Sequence, residues 1–377
     1  MAVIRVPHVD VPLPVARPAF RPDVEGLRAV ALGCVLLFHA GVPFARGGNV
    51  GVDVFFVVSG FLITCQLVRE LSATGRVDLP AFYARRARRI LPSAAAVLVL
   101  TLAGTALVAP ELLDDTGRAA VASALQAANW WSLSAGDLHV PLTHYWSLAV
   151  EEQFYLGWPV LLLLARRRPL VALGVLSAVS YGASVLLTPG NELLAYLGTG
   201  TRVWQFGLGA ALALLAPRTA EVTTAHPGMT SRIRWAAAGV LVSAVVWAGW
   251  VDYPGWAALV PTLAAALLVG AGTSDPASGP GRLLLWRPVR LCGRISYTWY
   301  LWHVPATFFA VTLFPAVDRW PFLLLVELLA GGLAFLTTVF VEDPLRRSRF
   351  VASTRRGLVL GGAVTAVSLG AAMLAVA

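Results

Sequence analysis

Residues 50–68 read VGVDVFFVVSGFLITCQLV, an unbroken apolar run with one formal charge, Asp53. A helix of that length crosses about 30 Å of hydrocarbon, and no polar face interrupts it as a soluble helix would require. The stretch is predicted to span a membrane. Similar runs recur on both sides, at 27–44, 92–110, 146–165, 170–188, 201–217, 235–251, 256–272, 295–314, 320–341 and 358–376. The expected fold is all-α: a polytopic transmembrane helix bundle of about 11 spans, because only internally bonded helices or closed barrels satisfy a backbone in lipid.

Composition agrees. The chain is 58% hydrophobic and 13% charged, with a mean hydropathy of +0.73. Its net charge of +9 raises the question of nucleic acid. The distribution excludes that reading, since the cations sit in short links between apolar runs, where they orient helices in a bilayer. Every cation is arginine. With a cytoplasmic N-terminus, 25 of the 29 fall on the cytoplasmic side, and only Arg46, Arg118, Arg202 and Arg319 fall outside. One helix more or fewer would scramble that alternation. Residues 1–20, with four prolines and no apolar core, do not read as a cleaved signal peptide and are expected to form a cytoplasmic tail. Residues 21–345 form the membrane domain, and 346–377 a basic linker with one additional C-terminal span. The longest external connection, 111–145, carries Glu111, Asp114, Asp115 and Asp137. Cys34, Cys65 and Cys292 are isolated, so neither a disulfide framework nor a metal site is indicated.

Ionisable residues inside apolar text are expensive and mark function or pairing. Arg28 and His39 lie eleven positions apart, close to three helical turns, so both project from one stripe. Arg28 either snorkels to headgroups or lines a path; His39 falls in the outer half of the membrane. Asp53 and Gly60, seven apart, share a helix face, and Ser59–Gly60 permits close helix approach. FYARRARRILP (82–92) offers two i, i+3 arginine pairs, Arg85 with Arg88 and Arg86 with Arg89. Such pairs grip phosphate through forked hydrogen bonds, or serve topology and anionic lipid. HYWSLAVEEQFYLGWP (144–159) places Glu151 and Glu152 at a depth matching His39, which suggests a shared polar cavity. His303, within ISYTWYLWHVP (295–305), reads as a packed partner of second rank, and Glu327 is unexplained.

Six motifs in order carry a resemblance: RPDVEGLRAVA (21–31), GVDVFFVVSGFLIT (51–64), the basic segment 82–92, HYWSLAVEEQFYLGWP, ISYTWYLWHVP and VEDPLRR (341–347). Over about residues 20–345 the chain resembles bacterial integral-membrane acyltransferase family 3, the group of O-antigen and other envelope O-acetyltransferases. The resemblance implies a ten-helix core in the bacterial inner membrane and transfer of an acyl group, commonly acetyl, from cytoplasmic acyl-CoA to a hydroxyl of an envelope glycan, glycolipid or metabolite, with no metal. It makes His39 the catalytic histidine and gives Arg28, Arg85, Arg86, Arg88 and Arg89 to the donor. Trp146, Arg202, Tyr297 and His303 are expected toward the substrate. Two departures stand out. Larger members continue into an external hydrolase-like domain, and in TRVWQF (201–206) Gln205 stands where an acid is often found.

An alcohol is a weak nucleophile near neutrality, so attack on a thioester needs a base, and neutral imidazole has a suitable pKa. His39 is expected to take the hydroxyl proton, with Glu151, Glu152 or Asp53 orienting it; an acyl-histidine intermediate is the competing mechanism. A transporter of glycan or lipid precursors is the alternative of another class, since intramembrane His, Asp and Glu also build proton relays.

Overall fold

The protein is described from a computed structural model covering residues 20–136, 140–317 and 319–376. Most of the N-terminal tail, including Arg5 and Arg17, and Asp137 lie outside the described residues. In chain order the helices are α1 (Pro22–His39), α2 (Val50–Thr74), α3 (Leu79–Val108), α4 (Leu113–Ala124), α5 (Ala128–Ala135) and α6 (Tyr145–Leu164). Then come α7 (Pro169–Leu187), α8 (Glu192–Leu197), α9 (Thr199–Leu214), α10 (Ala216–Ala225), α11 (Pro227–Trp247) and α12 (Leu259–Ala271). The chain ends with α13 (Gly281–Leu284), α14 (Arg287–Arg294), α15 (Ser296–Leu313), α16 (Trp320–Thr337), α17 (Asp343–Arg347) and α18 (Thr354–Val376). Among the described residues there is no strand.

Each expected span coincides with one helix of 13 to 30 residues. Six of the described segments are long and apolar enough to cross a membrane: Val50–Thr74, Leu79–Val108, Pro169–Leu187, Pro227–Trp250, Trp320–Arg347 and Thr354–Val376. Three local readings change. The first span ends at His39 and not at 44, because Gly41 adopts a φ of 70° and takes the backbone out of the helix. The third helix begins well before 92 and takes in the basic segment 82–92. This helix, α3, starts at an Asp78 cap accepting from the Ala81 N–H (3.0 Å) and runs through Pro92 as one piece. The connection after α3 is folded into α4 and α5, and a side chain at Gly117 of α4 would meet Val376 and Ala372 of α18.

The chain divides into two compact units. One comprises residues 20–38, Pro43–Val77 and Gln153–Arg294; the other comprises His39–Val42, Asp78–Glu152 and Ile295–Ala377. In the first, α2 packs on α9 and α12, and α9 also on α7. Gly60 sits directly on the Phe206 carbonyl, and Gly209 on the backbone of Val57 and Phe61. A Cβ at either glycine would collide with backbone, so the small residue at 60 does serve close helix approach. In the second unit α3 packs on α18, α15 and α4, with Gly357 against Ala84 and Gly361 against Ala87. The segment 346–377 is thus docked along α3.

Candidate active site

Helix α3 is the spine of the second unit. Its arginines Arg85, Arg86, Arg88 and Arg89 are half-buried near its start, and Arg88 donates to the Val351 carbonyl at 2.6 Å. Arg86 lies within electrostatic reach of Glu152 on α6. One turn further along α3, the Tyr297 hydroxyl donates to the Ile90 carbonyl at 3.0 Å, and Tyr297 lies within electrostatic reach of Tyr145, Glu152, Glu342 and Glu151. One more turn along, the Tyr145 hydroxyl donates to the Ala94 carbonyl at 2.9 Å. From Arg86 to Ala94 is roughly 12 Å of helix axis, at about 1.5 Å per residue.

The Tyr145 ring touches that of His144, with centroids 4.9 Å apart, and there three imidazoles gather. His144 lies edge-on to His303 (5.1 Å between centroids, 75° between planes), and His303 edge-on to His39 (4.8 Å, 79°). The row runs from exposure to burial. His39 is exposed at the last position of α1, whereas His144 and His303 are buried. A helix C-terminus carries partial negative charge, so a proton gained by His39 is stabilised where it sits.

Backbone carbonyls fix the two buried rings. His144 Nε2 lies 3.0 Å from the Leu301 carbonyl, and His303 Nδ1 bonds the Tyr300 carbonyl. A carbonyl only accepts, so each of those nitrogens carries the proton. Each opposite nitrogen, His144 Nδ1 and His303 Nε2, is then a lone pair, and neither has a hydrogen-bond partner. Around them the Tyr300 and Ser147 hydroxyls bond at 2.6 Å. Thr307, one turn beyond His303, donates to its carbonyl (2.9 Å) and to Glu327 Oε1 (3.0 Å). The residue noted as unexplained in the tenth span is therefore tied to the histidine helix, and its Oε2 has no partner. Trp146 is buried in the first turn of α6. Among the described residues no group of three or more His, Cys, Asp or Glu side chains is arranged to hold a metal ion.

The first unit holds a different polar site. Asp53, fully buried, accepts on Oδ1 from Arg202 (2.6 Å) and from Gln205, and on Oδ2 from Tyr253. Both oxygens expected to orient His39 are occupied by these three. Arg202, also fully buried, lies over the rings of Tyr196 (5.3 Å) and Phe56 (5.5 Å). The acid missing at position 205 is supplied by α2. Tyr253 lies in the connection before α12; burial, and then the Asp53 charge, hold its phenol well above the ordinary value, so it stays a donor. Arg28, half-buried on α1, does not belong to this cluster. A second buried group joins Arg21 and Arg234 to Asp23 (2.8 and 3.1 Å), with Arg234 also donating to the carbonyls of Asp275, Pro276 and Ser278.

The structure thus brings His39 together with His303, Glu152 with Arg86 and Tyr297, and Asp53 with Arg202. Sequence reasoning singled out neither His144 nor Tyr145, although both open the motif that contains Glu151 and Glu152. An imidazole in the residue before a buried helix was the available signal.

Residues 21–341 match the model of an acyltransferase domain. The O-acetyltransferase OatA of Staphylococcus aureus is 31% identical over 356 residues, covering 89% of this chain and 58% of that protein. The putative peptidoglycan O-acetyltransferase YrhL of Bacillus subtilis is 35% identical over 361 residues (89% and 56%), and the peptidoglycan O-acetyltransferase OatA of Listeria monocytogenes 30% over 355 (88% and 56%). The chain therefore spans little more than half the length of these curated relatives. No solved structure matches it.

Proposed function

The chain belongs to acyltransferase family 3, and from that premise we propose that it transfers an acyl group, acetyl in the simplest case, from acyl-CoA to a hydroxyl of a cell-envelope glycan. The observation that carries the reading is the exposed His39 ring, packed edge-on against buried His303, which in turn packs against buried His144, in the unit that also holds the half-buried arginines of α3. His39 is the general base. It removes the hydroxyl proton as oxygen attacks the thioester carbonyl, and returns that proton to the departing thiolate. Arg85, Arg86, Arg88 and Arg89 hold the phosphates of the donor, whose pantetheine arm bridges the distance along α3. Glu152 sets the geometry of Arg86, and Glu151, Trp146 and Tyr297 shape the space between. About eleven spans with a cytoplasmic N-terminus put the arginines on the CoA side and His39 toward the envelope. The names of the relatives favour peptidoglycan as the acceptor class.

The test is turnover by the purified protein in detergent or nanodiscs, supplied with acetyl-CoA and a soluble glycan fragment. Release of free CoA thiol should depend on the acceptor, with the acetylated glycan seen by mass spectrometry. Acceptor-dependent thiol release at the same rate by His39→Ala would remove His39 from the role of base.

A further inference from the structure

The first unit holds a cavity of about 760 Å³ that the proposed chemistry does not use. Its size falls within the range of small-molecule sites, about 300–1,000 Å³. One wall is the end of α10 and the first turns of α11, with Thr224, Ser231 and Trp235; the other is the segment after α12, with Ser274, Arg282 and Leu283. The second wall is fixed to the first. Arg234 of α11, fully buried, donates to the carbonyls of Asp275, Pro276 and Ser278, and a Cβ at Gly279 would meet the Ser231 carbonyl at 2.9 Å.

Two charged side chains line this space, Asp275 and Arg282. The carboxylate is already met: its Oδ1 accepts from the Ala277 N–H at 2.9 Å, and Arg234 lies within electrostatic reach. Arg282 is exposed on α13, and among the described residues its guanidinium has no ion-pair or hydrogen-bond partner. The same holds for the hydroxyls of Thr224, Ser231 and Ser274. An uncompensated guanidinium in a space lined by free hydroxyls is a donor set for phosphate.

The rim says what carries that phosphate. Trp235, Val242 and Val246 are exposed along one stripe of α11, at spacings of seven and four residues, and α11 lies in the segment Pro227–Trp250, which is long and apolar enough to cross a membrane. An indole at the arginine-rich end of such a stripe marks the level of the lipid headgroups. On the opposite wall Leu283 is exposed as well. We propose that this cavity binds the headgroup of an anionic phospholipid, with its phosphate on Arg282 and its acyl chains leaving past Trp235 and Leu283. A soluble phosphate would use the same donors and leave both apolar side chains uncovered.

The test is photo-crosslinking of the full chain in detergent with a phosphatidylglycerol that carries a diazirine in one acyl chain, the label being mapped by peptide mass spectrometry. Label should appear in residues 223–235 and 274–283, and unlabelled phosphatidylglycerol should compete about tenfold better than phosphatidylcholine. Arg282→Gln should cut labelling of these peptides about tenfold, the worth of one charge-assisted contact. Its melting temperature without added lipid should match wild type, as for most surface substitutions. If that variant does not fold, Ser274→Asp, which sets a like charge against the phosphate, takes its place with the same expected loss. Undiminished labelling of the variant, equal competition by phosphatidylcholine, or label confined to other peptides would overturn the inference. Displacement by glycerol 3-phosphate as complete as by phosphatidylglycerol would overturn the lipid and make the ligand a soluble phosphate. The measurement needs no turnover, so its failure is separate from any failure of the acyl-transfer reading.

Discussion

Asp53 and His303 are both fully buried in apolar surroundings, yet their neighbourhoods treat them in opposite ways. Around Asp53, three donors from α9 and the segment before α12 converge until both oxygens are taken. Around His303, one nitrogen is satisfied by a carbonyl and the other is left open beside a second imidazole. A carboxylate that already accepts from three donors has most of its hydrogen-bonding capacity used within the fold. An open lone pair is an unfinished interaction. Burial of an ionisable group in a membrane protein is therefore a weaker pointer to chemistry than unfilled hydrogen-bonding capacity at the same burial.

The largest expected effect tests the open site. His39→Ala should lower acceptor-dependent acetyl transfer by about 10³-fold, within the range for loss of a general base, while gel filtration and thermal unfolding in detergent match wild type. Unfolding of that variant would place His39 with Asp53 among the cohesive groups. For the closed site the sign is reversed. Asp53→Leu leaves the Arg202 guanidinium buried without its carboxylate and should cost about 3–5 kcal/mol, seen as a large drop in melting temperature. The double variant Asp53→Leu, Arg202→Met should recover most of that loss, since a hydrophobic pair often replaces a buried ion pair at little cost. A double variant no more stable than the single would show that the pair does more than satisfy its own charges.

Smaller effects sharpen the contrast. Arg86→Ala with Arg89→Ala should raise KM for acetyl-CoA about tenfold, one charge-assisted contact's worth of binding, with the melting temperature close to wild type. A drop in kcat at saturating donor would instead connect the arginines to the chemical step. Tyr253→Phe removes one of the donors to Asp53 and should cost about 1–2 kcal/mol of stability with unchanged turnover per folded molecule.

The apolar helices were legible because hydrocarbon thickness imposes a length on any apolar run. The stripe joining Arg28 to His39 was legible because both lie on one helix. Pairings across the chain were not. Asp53 and Arg202 are 149 residues apart, and His144 and Leu301 are 157 apart, so no local periodicity reports either contact. Gln205 looked like a lost acid because the acid that serves Arg202 comes from another helix. His39 was read as lying inside the outer half of the first span and proves to be the helix end, because a glycine two residues later decides where the backbone turns.

One continuous helix, α3, carries the arginines at its start and, further along, Ala94, the anchor of the Tyr145 ring beside the histidines. That continuity acts as a ruler. Each residue inserted between Arg89 and Ala94 would rotate the arginines by about 100° away from the imidazole face. An insertion of four would restore the phase and lengthen the gap by about 6 Å. Under the proposed chemistry, the register of this helix selects the length of donor that can be bound by its charged end and react at its other.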